Sequence, residues 1–290
     1  MRIGWIGTGV MGAPMATHLV EAGHDLAVFN RTAEKAAGLL DRGATWCTSP
    51  EAVAQQVDIV FSIVGFPSDV REIYLGANGI LRGKPACGTV IDMTTSEPSL
   101  AVEIAEQAAR LGIVSLDAPV SGGDVGARKG SLAIMVGGSE ERYHEVLPLL
   151  EILGENIACM GGPGAGQHTK MCNQILIAGT MIGVCESLLY ASRGGLDQAA
   201  VIDIIGKGAA GSWSINNLGP RIVEGDYSPG FYVDHFLKDM GIALRESEAM
   251  GLALPGLALV RQLYLAARAQ GHGRDGTQAL MKALRALNGE

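Results

Sequence analysis

Two hydrophobic rhythms divide the chain. Through the first half, short and nearly continuous apolar runs alternate with segments whose apolar residues recur at helical spacing. The runs RIGWI (2–6), DLAVFN (25–30), DIVFSIV (58–64), TVIDM (89–93), IVSLDA (113–118) and SLAIMVG (131–137) predict strands. Segments 10–22, 32–41, 50–56, 68–75, 97–111 and 139–153 predict helices between and after them. Strands apolar on both faces and separated by helices belong to a parallel sheet covered on both sides. After about Gly161 the strand pattern stops. Segments 165–192, 196–208, 213–223, 234–250, 255–270 and 274–287 read as helices joined by Gly- or Pro-containing turns such as EGDYSPG and GLALPG. The expected architecture is an α/β, Rossmann-like doubly wound sheet over residues 1–162, followed by an all-α domain over 163–290.

Composition narrows the functional classes. The 290 residues suit two domains, and 48% hydrophobic with 18% charged residues is the balance of a folded protein. A net charge of -8 with no Lys/Arg-rich run argues against nucleic-acid binding. The five cysteines (Cys47, Cys87, Cys159, Cys172, Cys185) are odd in number and never spaced C-x-x-C, so neither a disulfide framework nor a zinc site is expected. They read as reduced core residues of a cytoplasmic protein. The histidines are dispersed, and no metal is expected. The first strand begins at once with MRIGWIG, which leaves no room for a signal peptide of the usual form. The longest apolar run, 175–185, is shorter than the roughly 18 residues of a membrane span and ends at Glu186, so no membrane association is expected.

Three glycine-bearing stretches carry candidate chemistry. GTGVMG (Gly7, Thr8, Gly9, Val10, Met11, Gly12) follows a strand and opens a helix, the context that a dinucleotide-binding G-x-G-x-x-G requires. Gly7 allows the tight turn, Gly9 lets backbone approach a pyrophosphate, and Gly12 lets helix pack against strand. The free N–H groups and dipole of the helix start favour phosphate. At the end of the second strand, FNRT puts Asn30, Arg31 and Thr32 where an NAD-binding protein usually carries a carboxylate for the ribose. Arg31 suits a 2′-phosphate, so NADP(H) is the expected cofactor, with NAD(H) admissible; the bland alternative is a solvated turn arginine. The loops at Val64-Gly65 and Thr94-Thr95-Ser96 should line the same crevice. Thr95 could bond ribose or nicotinamide, or could equally be a helix cap.

DAPVSGG places Ser121, Gly122 and Gly123 at a strand end, where a hydroxyl and unhindered backbone N–H groups suit a small carboxylate, though a plain turn fits the residues as well. Asp117 reads as structural. In GGPGAGQHTKMCNQ, Lys170 lies one turn into a long apolar helix. The spacing is not that of a phosphate loop, which needs Lys directly after the last Gly and Ser/Thr next. Asn173 and Gln174, three and four residues on, share or flank the face of Lys170, and Ile177 and Met181 continue it as apolar residues. A lysine buried there is a candidate proton donor, its pKa lowered by lost hydration. His168 reads as a helix-start residue.

Across nearly its whole length the sequence resembles the β-hydroxyacid dehydrogenase family. The resemblance runs through IGWIGTGVMGAPMATHL, DAPVSGGDVGARKGSLAIMVGG, GAGQHTKMCNQ and FYVDHFLKDMGIAL. It implies reduction of a short aldehyde acid, or oxidation of its hydroxy acid, of the tartronate semialdehyde, succinic semialdehyde, glyoxylate or 3-hydroxyisobutyrate type. It implies that Ser121, Gly122 and Gly123 hold the substrate carboxylate, that Lys170 is the general acid/base, and that Lys238 closes on nicotinamide and substrate. The FNRT turn matches NADP-preferring members, Gly65 replaces a proline common in relatives, and either Asn173 or Gln174 would touch substrate. Relatives assemble as dimers or tetramers, so a homodimer or homotetramer is expected. An imine or other non-acid reductase, or a non-catalytic NADP-binding sensor, is the alternative on the same scaffold.

Overall fold

In the computed structural model, which describes all residues from Met1 to Glu290, apolar runs and glycine turns organise two compact units, Met1–Lys170 and Met171–Glu290. The first unit runs β1 (Arg2–Ile6), α1 (Gly12–Glu21), β2 (Asp25–Phe29), α2 (Ala37–Leu40), β3 (Thr45–Trp46), α3 (Pro50–Ala54), β4 (Ile59–Ser62), α4 (Pro67–Leu75), β5 (Thr89–Asp92) and α5 (Pro98–Ala109). It continues with β6 (Val114–Asp117), β7 (Val120–Ser121), α6 (Gly123–Lys129), β8 (Leu132–Gly137), α7 (Glu140–Leu150) and β9 (Gly154–Gly161). The nine strands form one sheet in the order β3-β2-β1-β4-β5-β6-β8-β7, with β9 beside β8. Strands β3 to β6 are parallel, as the doubly wound reading requires. Successive side chains enter opposite faces of the sheet. Ile3, Trp5 and Phe61 pack on one face, and Ile6, Val60, Val90 and Tyr74 on the other.

The sheet departs from the all-parallel expectation at its far end, where β8 runs antiparallel to β6 and β7. Four elements there and at the opposite edge lie outside the sequence reading for identifiable reasons. Strands β3 and β7 have two residues each, too few to show a period. Strand β9 has mostly exposed or half-exposed side chains, so it lacks the apolar run of a central strand. Helix α6, GDVGARK, carries two glycines and is bounded by Gly122 and Gly130 at positive φ, so helix propensity does not reveal it. The expected helix over 32–41 divides into a 3₁₀ turn at Ala33–Ala36 and the short α2.

The second unit is helical: α9 (Gln198–Ile205), α10 (Trp213–Glu224), α11 (Val233–Ala249), α12 (Pro255–Ala269) and α13 (Leu280–Leu287) follow α8 (Ala165–Arg193), inside which the two units divide. Met181, Leu188, Phe236, Met240, Tyr264 and Leu280 form its core, with Phe236 and Tyr264 edge to face at 5.1 Å. The expected last helix over 274–287 is shorter. 3₁₀ turns at His272–Arg274 and Thr277–Ala279 precede α13, and Tyr232 pairs with Gly276 as an isolated bridge.

One further expectation is corrected here. Cys47, Cys87 and Cys185 are buried, but Cys159 is only half-buried and Cys172 is exposed. Helix α8, at 29 residues and a mean hydropathy of 1.6 over its most apolar window, is long and apolar enough to cross a membrane by length and composition. It is longer than the uninterrupted apolar run at 175–185, and it also carries Lys170, Glu186 and Arg193. Its outer face includes Leu176 and Tyr190, both strongly exposed in the chain.

Candidate active site

The parallel register brings strand ends into one row. Phe29 pairs with Ile6, Ile6 with Ser62, Ser62 with Asp92, and Asp92 with Asp117. The loops that follow, 7–12, 30–32, 63–66, 93–96 and 118–123, therefore leave the same edge of the sheet. Strand order reverses between β1 and β4, and such a switch point opens the crevice in which doubly wound sheets bind ligands.

The glycine loop is built for close approach. Gly7 has φ 99°, and a Cβ there would collide with Ile63 O; one on Gly12 would collide with Gly7 O. Trp5 Nε1 donates to Gly7 O at 2.9 Å, and Gly7 N donates to Phe29 O at 3.0 Å. A Cβ on Gly9, in contrast, would meet nothing within 4 Å, and buried Thr8 Oγ1 has no hydrogen-bond partner. An open glycine, an orphan hydroxyl and the start of α1 fit a dinucleotide pyrophosphate. Val10 is exposed and Met11 half-buried on the same loop.

Asn30 does more than omit a carboxylate. Its Oδ1 accepts from Thr8 N at 3.0 Å and its Nδ2 donates to Thr32 O at 2.7 Å, so it ties the glycine loop to the turn after β2. Arg31 is exposed and paired to Asp69 at 3.1 Å, and Asp69 Oδ2 also accepts from Phe66 N at the start of α4. Val64 N donates to Thr94 Oγ1 at 2.9 Å, which joins the β4 and β5 loops. Thr95 is half-buried and is not the cap of α5, whose cap position is Glu97.

Beneath this edge lies a polar network that the sequence did not reveal. Asp92 Oδ1 accepts from Ser62 Oγ at 2.9 Å and Thr94 N at 3.1 Å, and Ser62 Oγ meets Tyr74 OH at 2.9 Å. Burial pushes the Asp92 carboxyl up to about 6 and raises Tyr74 well above an ordinary phenol. Asp117, the structural aspartate of the sequence reading, accepts from Gly164 N and Gln167 N, each at 2.8 Å, at the start of α8; burial raises its pKa. The Gln167 side chain accepts from Ser96 N at 2.9 Å and donates to Thr94 O at 2.7 Å. Lys170, three residues further on, is 6% exposed. Ser121 lies half-buried on β7, paired with Ala133, and Gly122 turns at φ 134° before α6.

Within the second unit, Gln174 is 2% exposed and donates to Asp239 Oδ2 at 2.6 Å. Half-buried Asn173 donates to Gln174 Oε1 at 2.7 Å. Lys238 pairs with Asp239 Oδ1 at 3.2 Å, and burial first, then Lys238, lowers the pKa of His235. Asp239 is the residue of this cluster that sequence reasoning passed over; its place directly after Lys238 in HFLKD was the available signal. A surface groove of about 460 Å³ lies beside α4 and α5. There, Arg71 is held by Glu103, and Arg82 by the Leu75 and Gly76 carbonyls.

Residues 2–161 match the family model described as the NAD binding domain of 6-phosphogluconate dehydrogenase. Residues 164–284 match the model described as NAD-binding of NADP-dependent 3-hydroxyisobutyrate dehydrogenase. The chain is 53% identical over 288 residues to a probable 3-hydroxyisobutyrate dehydrogenase-like protein of Arabidopsis thaliana, covering 99% of this chain and 86% of that one. It is 38% identical over 284 residues to the 2-hydroxy-3-oxopropionate reductase of Escherichia coli, covering 98% and 97%. Among solved structures, the Mycobacterium tuberculosis 3-hydroxyisobutyrate dehydrogenase with L-serine superposes at a TM-score of 0.88 with 31% identity, covering 98% of this chain and 99% of that one. The chain belongs to the β-hydroxyacid dehydrogenase family and is an NAD(P)-dependent oxidoreductase of the hydroxyacid dehydrogenase class.

Proposed function

We propose that the protein interconverts a short aldehyde acid and its hydroxy acid with NADP(H), using Lys170 as general acid/base. The observation that carries this reading is a buried lysine near the start of α8, in a unit whose glycine loop fits a dinucleotide. The names of the Arabidopsis and Escherichia coli relatives support the substrate class. NADPH, when bound, supplies the hydride. Ser121 and the amides of Gly122 and Gly123 hold the carboxylate. Lys170 bonds the aldehyde oxygen and gives it a proton as the alkoxide forms; neutral Lys170 takes that proton back in the oxidative direction. Stabilising the forming oxyanion is the largest contribution available to such a step. Asn173 or Gln174 orients the same oxygen. Lys238 adds positive charge toward cofactor and substrate.

Arg31 supports NADP(H) over NAD(H). Its exposed ion pair with Asp69 is worth at most about 1 kcal/mol and exchanges readily for a 2′-phosphate. The exposed Leu176 and Tyr190 on α8 support a homodimer or homotetramer, which sedimentation equilibrium tests.

The deciding experiment follows NADPH absorbance with tartronate semialdehyde, succinic semialdehyde, glyoxylate and a cyclic imine. Turnover is expected with at least one aldehyde acid and not with the imine. Lys170→Ala is expected to lower kcat by about 10²–10⁴-fold while NADPH still binds. A mutant with wild-type kcat would remove the proposed mechanism.

A further inference from the structure

Gln167 is fully buried, and its carboxamide is directed toward the sheet edge. Its Oε1 accepts from Ser96 N at 2.9 Å and its Nε2 donates to Thr94 O at 2.7 Å, so one carboxamide grips both ends of the Thr94-Thr95-Ser96 loop. Its backbone N–H donates to Asp117 Oδ2, whose Oδ1 takes Gly164 N. The same loop is joined to the β4 loop through Thr94 Oγ1 and Val64 N, and to Asp92 through Thr94 N. The ends of β4, β5 and β6 are thus tied to the first turn of α8.

Residues three apart on a helix lie on one side of it. Since Gln167 turns its side chain to the Thr94–Ser96 loop, Lys170 lies on the side of α8 that faces the carboxyl edge of the sheet. The loop and the turn of α8 that leads to Lys170 are therefore joined by this buried amide, beside the Asp117 bonds to the same turn. An amide is suited to this: it supplies a donor and an acceptor on two separate atoms, whereas an ionised carboxylate only accepts and a hydroxyl does both through one oxygen.

We propose that Gln167 is a positioning residue, coupling the placement of the Lys170 ammonium to that of the Thr94–Ser96 loop; the inference rests on Lys170 being the acid/base. Asp117 completes the device by holding the backbone of the same turn. Displacing a reacting group by about 1 Å costs about 100-fold in rate, so the effect belongs in kcat rather than in cofactor affinity.

The test uses the full-length enzyme with NADPH and glyoxylate, and with NADPH and succinic semialdehyde. Gln167→Ala is expected to lower kcat about 10- to 100-fold. NADPH affinity, read by direct fluorescence titration, should change only a few-fold. The primary isotope effect with 4-deuterated NADPH should rise toward its intrinsic value. If that variant does not fold, Gln167→Glu carries the test. It keeps the acceptor for Ser96 N–H but sets an oxygen against the Thr94 carbonyl, and protonation restores the donor. Its kcat deficit relative to the native enzyme should therefore shrink as pH falls while NADPH affinity stays within a few-fold, whereas a merely structural loss would move both. Wild-type kcat and isotope effect in Gln167→Ala, or a pH-independent deficit in Gln167→Glu, alongside an inactive Lys170→Ala, overturns this inference and leaves the proposed reaction standing. An active Lys170→Ala overturns both.

Discussion

Around Asn30, Thr94 and Gln167 in the amino-terminal unit, polar side chains answer backbone groups, whereas around Asp239 in the helical unit they answer one another. Asn30 takes Thr8 N–H, Thr94 takes Val64 N–H, and Gln167 takes Ser96 N–H while giving to Thr94 O. In the helical unit, Gln174 and Lys238 converge on Asp239, and Asn173 on Gln174. The reason is backbone accounting. Loops at strand ends leave N–H and C=O groups that must be satisfied, while interior helical residues already satisfy theirs. A buried polar side chain on a helix must therefore reach beyond its own ladder, to backbone outside it as Gln167 and Tyr264 do or to another side chain as Gln174 does. The pairing of side chains is more brittle, because each partner depends on the other.

The largest test of this contrast removes one hub from each unit. Asp239→Ala takes away the acceptor used by both Gln174 and Lys238 in a buried site and is expected to cost about 4 kcal/mol. Asn30→Ala gives up two side chain–backbone bonds near solvent and should cost about 1 kcal/mol. Urea midpoints at unchanged slope would measure both. Equal losses would erase the distinction between the units.

Asp92 tests the polar network by pH. Its carboxyl stands against Tyr74, Ser62 and Thr94, with Asp117 opposite it in the register, and burial raises its pKa from 3.8 to about 6. A raised carboxyl is protonated preferentially in the folded state. Its contribution is present in full below the ordinary pKa and is lost as pH rises through about 6. Asp92→Asn keeps an acceptor and cannot ionise. Its stability relative to the native chain should rise by up to about 3 kcal/mol between pH 4 and pH 7 and then level off. A pH-independent difference would show that Asp92 does not titrate in that window.

Two glycines sharpen the reading of the loop itself. Gly7→Ala meets Ile63 O at a positive φ and should destabilise the fold by about 2 kcal/mol. Gly9→Ala meets no neighbour, so its melting temperature should be unchanged while NADPH binding weakens at least ten-fold. The smallest effect falls on an exposed side chain. Arg31→Ala should raise the Kd for NADPH about ten-fold, near 1.4 kcal/mol, and leave NADH unchanged. An unchanged ratio of the two cofactors would remove the argument for NADP(H).

Much of the molecule was legible from local pattern. The central parallel strands announced themselves because burial on both faces forces continuous apolar runs, and Gly7, Gly9 and Gly12 because one turn imposes three separate spatial demands. Lys170 stood out as a charge on an apolar helix. Less legible were β9, whose exposed residues carry no period, and α6, whose glycines hide a helix.

What the sequence determined by itself was the doubly wound sheet, the helical second unit, the dinucleotide loop and the family. These depend on periodicity and on contiguous motifs, which are properties of neighbours along the chain. Only the tertiary structure decided what Gln167, Asp117, Asp92 and Asp239 do. Their partners lie 71, 50, 30 and 65 positions away in sequence, and no local spacing encodes a hydrogen bond across such a distance. Burial then makes those bonds obligatory, because a polar group withdrawn from water must find its partner within the fold.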